Sequence, residues 1–529
     1  MGTRAKALAL LLVMLAAIPA LAAARPAEAQ GAPPAQLLPS GAPPGQPMVG
    51  GLPGFRYAGP LPPDAPVVGA VYVPLRNLWL LYYYAVEANT PGSPLYHHYL
   101  TRQEVQELFY PTGQFDRVLR YLESRGLKVL LTAADSVIVF EGEARQVEEA
   151  LNVSIGLFTN GTASYYMSVG QPRALGAVVY VSNVTALIMR SPQFLLTLAS
   201  LRSRLAALGV LQNVSLPEEA YTIAQVVGAY NVTPLYDQGY YGQRVSVGII
   251  DFYGDPTIYQ DLAYYDRLFG LPPANLTVVP IGPYNPNLGV YTGWSYEIDL
   301  DVEAVHTVAP KARIVLYVAN GAVPLAAAVA YIDQQDAVSI VTQSFGVPES
   351  YFSNLGYEFY LFNVYLTDVY YALGAAEGIT FVAASGDGGG MGYGAGPVGA
   401  VAYPASSPWV LAVGGTTTYV DFGAGNSTSS YYQTAWSSMG FVPYLANIGG
   451  STGGYSAYEP MPWWQEGVAP RPPQGFPLGR AVPDVAANAG LFPGVYITIT
   501  GNETAITGGT SEASPVVAGL LALAESRLG

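Results

Sequence analysis

The stretch "VSVGIIDFY", residues Val245–Tyr253, is rich in apolar and β-branched residues, a pattern typical of a strand buried on both faces. Helix-like stretches, including residues 294–309 and 360–376, lie between several similar runs. The similar runs are "ARIVLYVAN" (312–320), "AVSIVTQSFG" (337–346), "GITFVAASGDGGG" (378–390) and "WVLAVGG" (409–415). This alternation predicts an α/β domain with a mostly parallel sheet and helices on both faces. Functional residues are then expected at the carboxyl ends of the strands.

The chain ahead of this domain divides into four segments. Residues 1–24 combine Arg4 and Lys6 with an apolar run and small residues, the layout of a secretory signal peptide. An uncleaved membrane anchor is the alternative, but no stable membrane insertion is expected after signal removal. Residues 25–66 are rich in Pro, Ala and Gly and predict a linker. Residues 67–195 predict an α+β domain, and residues 196–219 a connector to the domain of residues 220–529.

Composition excludes several functions. The chain has 22 Lys and Arg against 37 Asp and Glu, a net charge of −15, so a nucleic-acid partner is not expected. The absence of cysteine excludes disulfides, thiol nucleophiles and thiolate metal sites. Eight Asn-x-Ser/Thr acceptor sites favour a secreted or cell-surface glycoprotein.

A candidate nucleophile lies near the end of the chain, in "GGTSEASP" (508–515). The apolar run that follows predicts a helix, and Ser511 then lies at its N-terminus, where backbone N–H groups favour developing negative charge. The alternative is an ordinary helix-capping serine. A serine nucleophile also needs a base and donors for the oxyanion.

Histidine is a poor candidate for that base. The chain has three histidines: His97 and His98 in the N-terminal part, and His306 near the end of a predicted helix. A subtilisin-type site would combine Ser511 with Asp251 and a glycine-flanked histidine, and that histidine element is missing. A histidine-dependent enzyme is therefore disfavoured.

Carboxyl groups offer another base. In "GWSYEIDLDVEAVHTVAP" (293–310), Glu297 and Asp301 are four residues apart and share one face of a helix. Close carboxyls resist joint ionisation, and a carboxylate can accept a proton in acid, where imidazole is already protonated. The alternative is a solvated acidic helix face. In "FVAASGDGGG", a protonated Asp387 could donate to an oxyanion, or it could form an Asx-turn.

Together these motifs resemble the sedolisin, or serine-carboxyl peptidase, family of subtilisin-like fold. The resemblance begins near Ala220 and includes "EIDLD", "VTQSFG", "AASGDGG", "RAVPDVAANA" and "GGTSEASP". It implies that Ser511 is the nucleophile, Glu297 the general base, Asp301 its supporting group and Asp387 the oxyanion donor. It also implies that Ser344, Phe345 and Gly346 pair with the substrate backbone.

The resemblance extends to residues 68–195, which are similar to the family's activation domain. It implies a self-processing zymogen that acts on proteins or peptides in acid, with its own prodomain as inhibitor. The family's calcium site, built from aspartates and backbone carbonyls, is expected beyond the serine helix; the chain stops at Gly529, so no calcium ligand or other cofactor is assigned. A catalytically inactive binding module that keeps this fold is the alternative.

Overall fold

The computed structural model describes residues 52, 54–170, 172, 174–185, 220–355, 357–390, 401–422, 428–437, 449–475 and 477–528. The predicted signal peptide, most of the predicted linker and the predicted connector lie outside the described residues. Among the residues that the structure describes, no helix is long and apolar enough to cross a membrane.

The N-terminal part is an α+β arrangement of antiparallel sheets, as predicted. One sheet has the strand order β3-β4-β2-β7 and the other β1-β5-β6. Its strands are β1 (Arg56–Pro60), β2 (Pro66–Tyr72), β3 (Lys128–Ala133), β4 (Val137–Glu143), β5 (Ser154–Thr159), β6 (Ser164–Val169) and β7 (Val178–Tyr180). Its helices are α1 (Leu78–Glu87), α2 (Arg102–Phe109), α3 (Thr112–Ser124) and α4 (Ala144–Leu151). Strand β1 lies inside residues 25–66, the range predicted as linker. This segment forms a strand because it pairs with β5.

The C-terminal part contains the α/β domain that the apolar runs predict. An eight-stranded sheet has the order β16-β15-β13-β11-β8-β10-β9, with β19 paired to β15. Every pairing is parallel except that of β15 with β16. Its strands are β8 (Ser246–Phe252), β9 (Asn275–Ile281), β10 (Arg313–Ala319), β11 (Ile340–Gln343), β13 (Thr380–Ala384), β15 (Val410–Phe422), β16 (Thr428–Ala435) and β19 (Val485–Asn488).

Smaller pairings lie around this sheet: β12 (Val347–Pro348) with β14 (Ala402–Tyr403), β17 (Gly454–Pro460) with β18 (Gly479–Val482), and β20 (Val495–Ile499) with β21 (Glu503–Thr507). The helices of this part are α5 (Ile223–Ala229), α6 (Thr233–Asp237), α7 (Ile258–Phe269), α8 (Asn287–Thr292), α9 (Trp294–Val308), α10 (Leu325–Gln335), α11 (Phe352–Leu355), α12 (Tyr357–Tyr360), α13 (Leu366–Glu377) and α14 (Thr510–Leu528).

Strand β8 shows that both faces of the sheet are covered. Val247 and Ile249 pack into the core that includes α9 and α14. Ile250 and Phe252 pack into the core that includes α10 and α13. Successive side chains of a strand point to opposite faces, so β8 is buried on both sides. Its apolar run reflects that burial.

The N-terminal domain packs against α10 and α13. The amide of Ala134 donates to Gln334 Oε1 at 2.9 Å, and the Tyr370 hydroxyl donates to Ser136 Oγ at 2.8 Å. Apolar side chains of both domains belong to one buried cluster around these bonds. The activation-domain-like segment is therefore docked on one helical face of the α/β domain.

A buried arginine, Arg480, anchors strand β18 to its neighbours. Arg480 is fully buried, and its guanidinium donates to both carboxylate oxygens of Asp484, the Nη1–Oδ1 distance being 2.8 Å. It also donates to the carbonyls of Ser407 and Val410 at 3.4 and 3.1 Å. These bonds join β18 to the start of β15 and to Asp484, which precedes β19.

We expect Arg480→Met to lower the free energy of unfolding by about 3 kcal/mol, because the buried carbonyls of Ser407 and Val410 lose their donor and the partly exposed Asp484 loses its counter-charge. The matched control is Lys128→Met, which breaks the exposed 3.2 Å pair with Glu141 and should cost about 1 kcal/mol or less. Urea unfolding of full-length protein measures both. Equal stabilities of the two variants would contradict this account.

Candidate active site

Ser511 lies in the first turn of α14, as the sequence predicts, and is 5% exposed. The preceding Gly509 has φ +102°, and a Cβ there would lie 2.9 Å from Asp387 Oδ2. Only glycine suits both its backbone conformation and this close approach. The turn therefore brings Ser511 against the loop that follows β13.

Pro515 lies inside α14 and frees the carbonyl of Ser511. A proline has no N–H to donate to the carbonyl four residues earlier. The carbonyl oxygen of Ser511 instead accepts from Ser344 Oγ at 3.3 Å. The Ser344 hydroxyl also lies 2.7 Å from Asp301 Oδ1. Ser344 thus links the turn of the candidate nucleophile to the acidic helix α9.

Helix α9 carries four acidic residues, and all four are buried: Glu297, Asp299, Asp301 and Glu303. The alternative of a solvated acidic face is therefore wrong. The helix is enclosed because α14, α7 and the β20–β21 hairpin pack around it. Its contact with α14 extends to Val308, whose side chain would collide with a Cβ on Gly519.

Asp301 lies in a cluster of carboxyl groups that includes Asp251. Asp251 follows the apolar part of β8, is fully buried, and has no hydrogen-bond partner for either carboxyl oxygen among the described residues. Burial, followed by the Glu297 charge, raises the pKa of Asp251 well above its usual range. Burial, followed by the Asp251 and Glu297 charges, raises that of Asp301, although the Ser344 hydrogen bond opposes the rise.

The sequence analysis considered Asp251 only as part of a histidine-type site. The sheet register explains its actual neighbourhood, because Gln343 of β11 pairs with Ile250 of β8. The next residues, Ser344 and Asp251, are therefore neighbours at the carboxyl end of the sheet, and Ser344 contacts Asp301. The only sign of Asp251 in the sequence was a lone acidic residue at the end of an apolar run.

Asp387 follows β13 and contacts the other side of the Ser511 turn. Its Oδ1 accepts from the amide and the hydroxyl of Thr510, both at 2.8 Å. Burial raises the pKa of Asp387 to about 6, although these two hydrogen bonds oppose the rise. The carboxyl is thus largely protonated below that pH, which permits a donor role.

His306 contacts Asp266 and Pro272. Its Nε2 lies 3.0 Å from Asp266 Oδ1 and 2.9 Å from the carbonyl of Pro272. Burial lowers the pKa of His306, although the Asp266 charge opposes this. His97 and His98 are exposed in the N-terminal domain. These contacts give His306 a packing role within the α/β domain.

The segment predicted to pair with substrate follows β11. Phe345 is buried against Phe252 and Trp294, with ring centroids 5.1 and 6.3 Å apart. Gly346 leads into β12, where Val347 pairs with Tyr403. Substrate pairing by Ser344, Phe345 and Gly346 stays a prediction.

One group of three carboxyls in the described part of the chain could hold a metal ion: Asp255, Asp261 and Asp299. The sequence analysis assigned no metal ligand. Carboxylate oxygens are the hard donors that calcium prefers, so the chemistry of this group fits that ion.

Comparisons with known proteins define the class first. Residues 53–187 match the family model described as "Pro-kumamolisin, activation domain", and residues 285–529 match that of the subtilase family. The chain is thus a subtilisin-like peptidase domain preceded by an activation domain.

Individual relatives identify the family within this class. Kumamolisin from Bacillus sp. (strain MN-32) is 30% identical over 429 residues, covering 78% of this chain and 72% of the relative. Sedolisin from Pseudomonas sp. (strain 101) is 28% identical over 473 residues, covering 86% and 76%. The chain belongs to the sedolisin, or serine-carboxyl peptidase, family. The solved structure of Pseudomonas sedolisin complexed with two molecules of pseudo-iodotyrostatin aligns with TM-score 0.48 and 26% identity, over 59% of this chain and 81% of that one.

Proposed function

We propose that this protein is a secreted serine-carboxyl peptidase that hydrolyses peptide bonds of proteins at acidic pH and is made as a self-processing zymogen. The observation that carries the proposal is the position of the Ser511 turn. Asp387 binds it on one side, and Ser344, the partner of Asp301, binds it on the other. No histidine is needed in this arrangement.

In the proposed mechanism, Glu297 takes the proton of the Ser511 hydroxyl as its oxygen attacks the peptide carbonyl carbon. The oxyanion accepts a hydrogen bond from protonated Asp387 and is favoured by the N-terminus of α14. Glu297 then gives the proton to the departing amine, and water hydrolyses the acyl-enzyme. Asp301 and Asp251, both buried beside Glu297, hold it in place by sharing protons.

The zymogen part of the proposal assigns residues 67–195 as the inhibitory prodomain. Its match to an activation domain and its docking on α10 and α13 support this assignment. The signal-like residues 1–24 and the acceptor asparagines support secretion and glycosylation. The family resemblance implies calcium, and the carboxyl groups of Asp255, Asp261 and Asp299 are chemically suited to bind it.

The test is the pH–rate profile for hydrolysis of an unfolded protein after the full-length precursor has been incubated at about pH 4. We expect activity in acid that declines as pH rises through about 6, where Asp387 loses its proton. Folded protein that hydrolyses nothing at any pH would support the inactive binding module instead.

Asp387 variants test the donor role separately. We expect Asp387→Ala to lower kcat by about 10²–10³, the usual cost of one oxyanion donor. Asp387→Asn keeps an N–H donor that does not ionise, so it should retain more activity and lose less of it between pH 5 and 7. Both kcat and its pH dependence are measured on processed enzyme. An Asn form as inactive as the Ala form, or a wild-type decline preserved in the Asn form, would contradict the role.

A further inference from the structure

The prodomain docks where two helices of the α/β domain end in acidic residues. Asp333 and Asp336 lie at the carboxyl end of α10, and Glu377 is the last residue of α13. The two helices approach closely, since a Cβ on Gly374 of α13 would lie 2.9 Å from Asp333 Oδ1. A helix carries partial negative charge at its carboxyl end, so all three positions disfavour an ionised carboxylate.

Prodomain donors cap the end of α13. Asn89 Nδ2 donates to the carbonyl of Ala375, and the amide of Leu100 donates to that of Ala376, each at 2.9 Å. These carbonyls belong to the last turn of the helix, where no amide of the same helix reaches them. The prodomain therefore satisfies groups that water would otherwise satisfy.

These contacts enclose Glu377. The ring of Tyr99 lies against the next residue, Gly378, where a Cβ would come within 2.9 Å of it. Both carboxyl oxygens of Glu377 are buried, and neither has a hydrogen-bond partner among the described residues. The fully buried Asp333 likewise has no hydrogen-bond partner for its carboxyl oxygens within the described part of the chain.

The prodomain does little to neutralise these carboxyls. Arg102, at the start of α2, acts on Glu377 and Asp336 but takes part in none of the four ion pairs among the described residues. Tyr110, which follows α2, is buried, and the Glu377 and Asp333 charges add to the effect of burial in raising its pKa. The other titratable groups that interact with Tyr110 or Asp333 are Asp135, Tyr370 and Tyr371.

The surroundings of Glu377 favour its protonated form. Burial, followed by the Asp336 charge, raises the pKa of Glu377 to about 9, although the Arg102 charge opposes the rise. Burial, followed by the Glu377 and Asp336 charges, raises the pKa of Asp333 well above its usual range. An exposed glutamate has a pKa of about 4.3. The prodomain supplies part of the enclosure of Glu377, so undocking lowers the pKa of this residue toward that value.

We propose that docking of the prodomain binds a proton at Glu377, so that the prodomain is held more tightly in acid than at neutral pH. A group whose pKa is raised in the docked state favours docking below its undocked pKa. This contribution is lost as pH rises toward the docked value. The proposal rests on the proposed zymogen only in taking residues 67–195 as a domain that undocks, and it requires no catalysis.

The proposal has a consequence for activation. In acid, where the proposed enzyme works, the docked prodomain keeps its proton at Glu377. Acidification then permits cleavage of the chain without itself loosening the prodomain. The cut removes the tether that keeps the prodomain at a high effective concentration, and release follows by dilution or digestion of the cut fragment.

Hydrogen exchange in full-length Ser511→Ala protein tests the proposal, whether or not Ser511 is the nucleophile. The amide of Leu100 crosses to α13, and its protection from exchange, corrected for the pH dependence of the intrinsic rate, measures undocking. Between about pH 5.5 and about pH 8, we expect this protection to fall by up to about tenfold per pH unit, the limit for one bound proton. Protection that stays constant or rises over this range would overturn the proposal.

Variants assign the proton to Glu377. In Glu377→Gln the side chain has the shape of the protonated acid and does not ionise, so the decline in Leu100 protection should shrink at least about tenfold. The matched control is Glu123→Gln, which alters an exposed glutamate of α3 and should keep the decline of the parent. Glu377→Met, apolar and of similar size, serves for the same comparison, and either folded variant suffices. An equal decline in the Glu377 and Glu123 variants would place the proton elsewhere and overturn the assignment.

Discussion

Glu297→Gln is expected to lower kcat for peptide hydrolysis at about pH 4 by about 10⁴–10⁶, the range seen when members of serine triads are removed. Glutamine keeps the size and hydrogen-bonding capacity of the side chain but cannot accept the Ser511 proton. Because Glu297 lies buried on α9 beside Asp301 and Asp251, the substitution removes a carboxyl without opening a cavity. The loss should therefore appear in kcat while the protein stays folded.

His306→Gln is the matched control on the same helix. His306 contacts Asp266 and Pro272 and is needed for packing, so its replacement should change kcat less than about tenfold. Peptide hydrolysis with circular dichroism on both variants decides between them. An active Glu297→Gln beside a folded but inactive His306→Gln would restore the histidine-dependent alternative.

The sheet was predictable because its strands are buried on both faces. Burial on both sides removes polar residues from every position, and the apolar runs around Val247, Ile314 and Val341 show this directly. The N-terminal boundary of the α+β domain was harder to predict from the sequence. Strand β1 is a short edge strand whose sequence, "RYAGP", carries no alternation, so it was assigned to the linker.

The acidic helix shows where sequence periodicity stops being informative. The spacing of Glu297 and Asp301 places them on one helical face, but the sequence equally allowed all four acidic residues, Asp299 and Glu303 included, to be solvated. The structure buries Asp299 and Glu303 too, because Asp261 of α7 and Thr498 of β20 cover them. Those partners come from segments tens to hundreds of residues away, and no local pattern in the sequence encodes such a contact.

Asp251 was missed as a neighbour of Glu297 for the same reason. Its position at the end of an apolar run suggested only a member of a histidine-type site, whereas its closeness to Ser344 follows from the order of β8 and β11 in the sheet. Strand order is set by crossover connections and is not written in either strand. The residue types of the candidate site could thus be predicted, but its full set of carboxyls could not.

Ser511→Ala is expected to abolish self-processing of the precursor and to lower kcat by about 10⁶, as loss of a serine nucleophile does in other serine peptidases. Alanine removes only the hydroxyl, so the turn held by Thr510 and Asp387 should persist. Wild-type precursor at about pH 4 should separate into an N-terminal fragment and a catalytic fragment. The Ser511→Ala chain should remain intact over the same period, as followed by gel electrophoresis and mass spectrometry.

Ser514→Ala is the matched control for this experiment. Ser514 is a second buried serine three residues on, and its hydroxyl lies 2.8 Å from Thr342 Oγ1. Its loss removes a structural hydrogen bond in the same helix and should leave processing in place. Adding a trace of wild-type enzyme to Ser511→Ala precursor then separates cleavage within a chain from cleavage between chains. Processing of Ser511→Ala alone at the wild-type rate would show that another group cuts the chain, and would remove Ser511 from the mechanism.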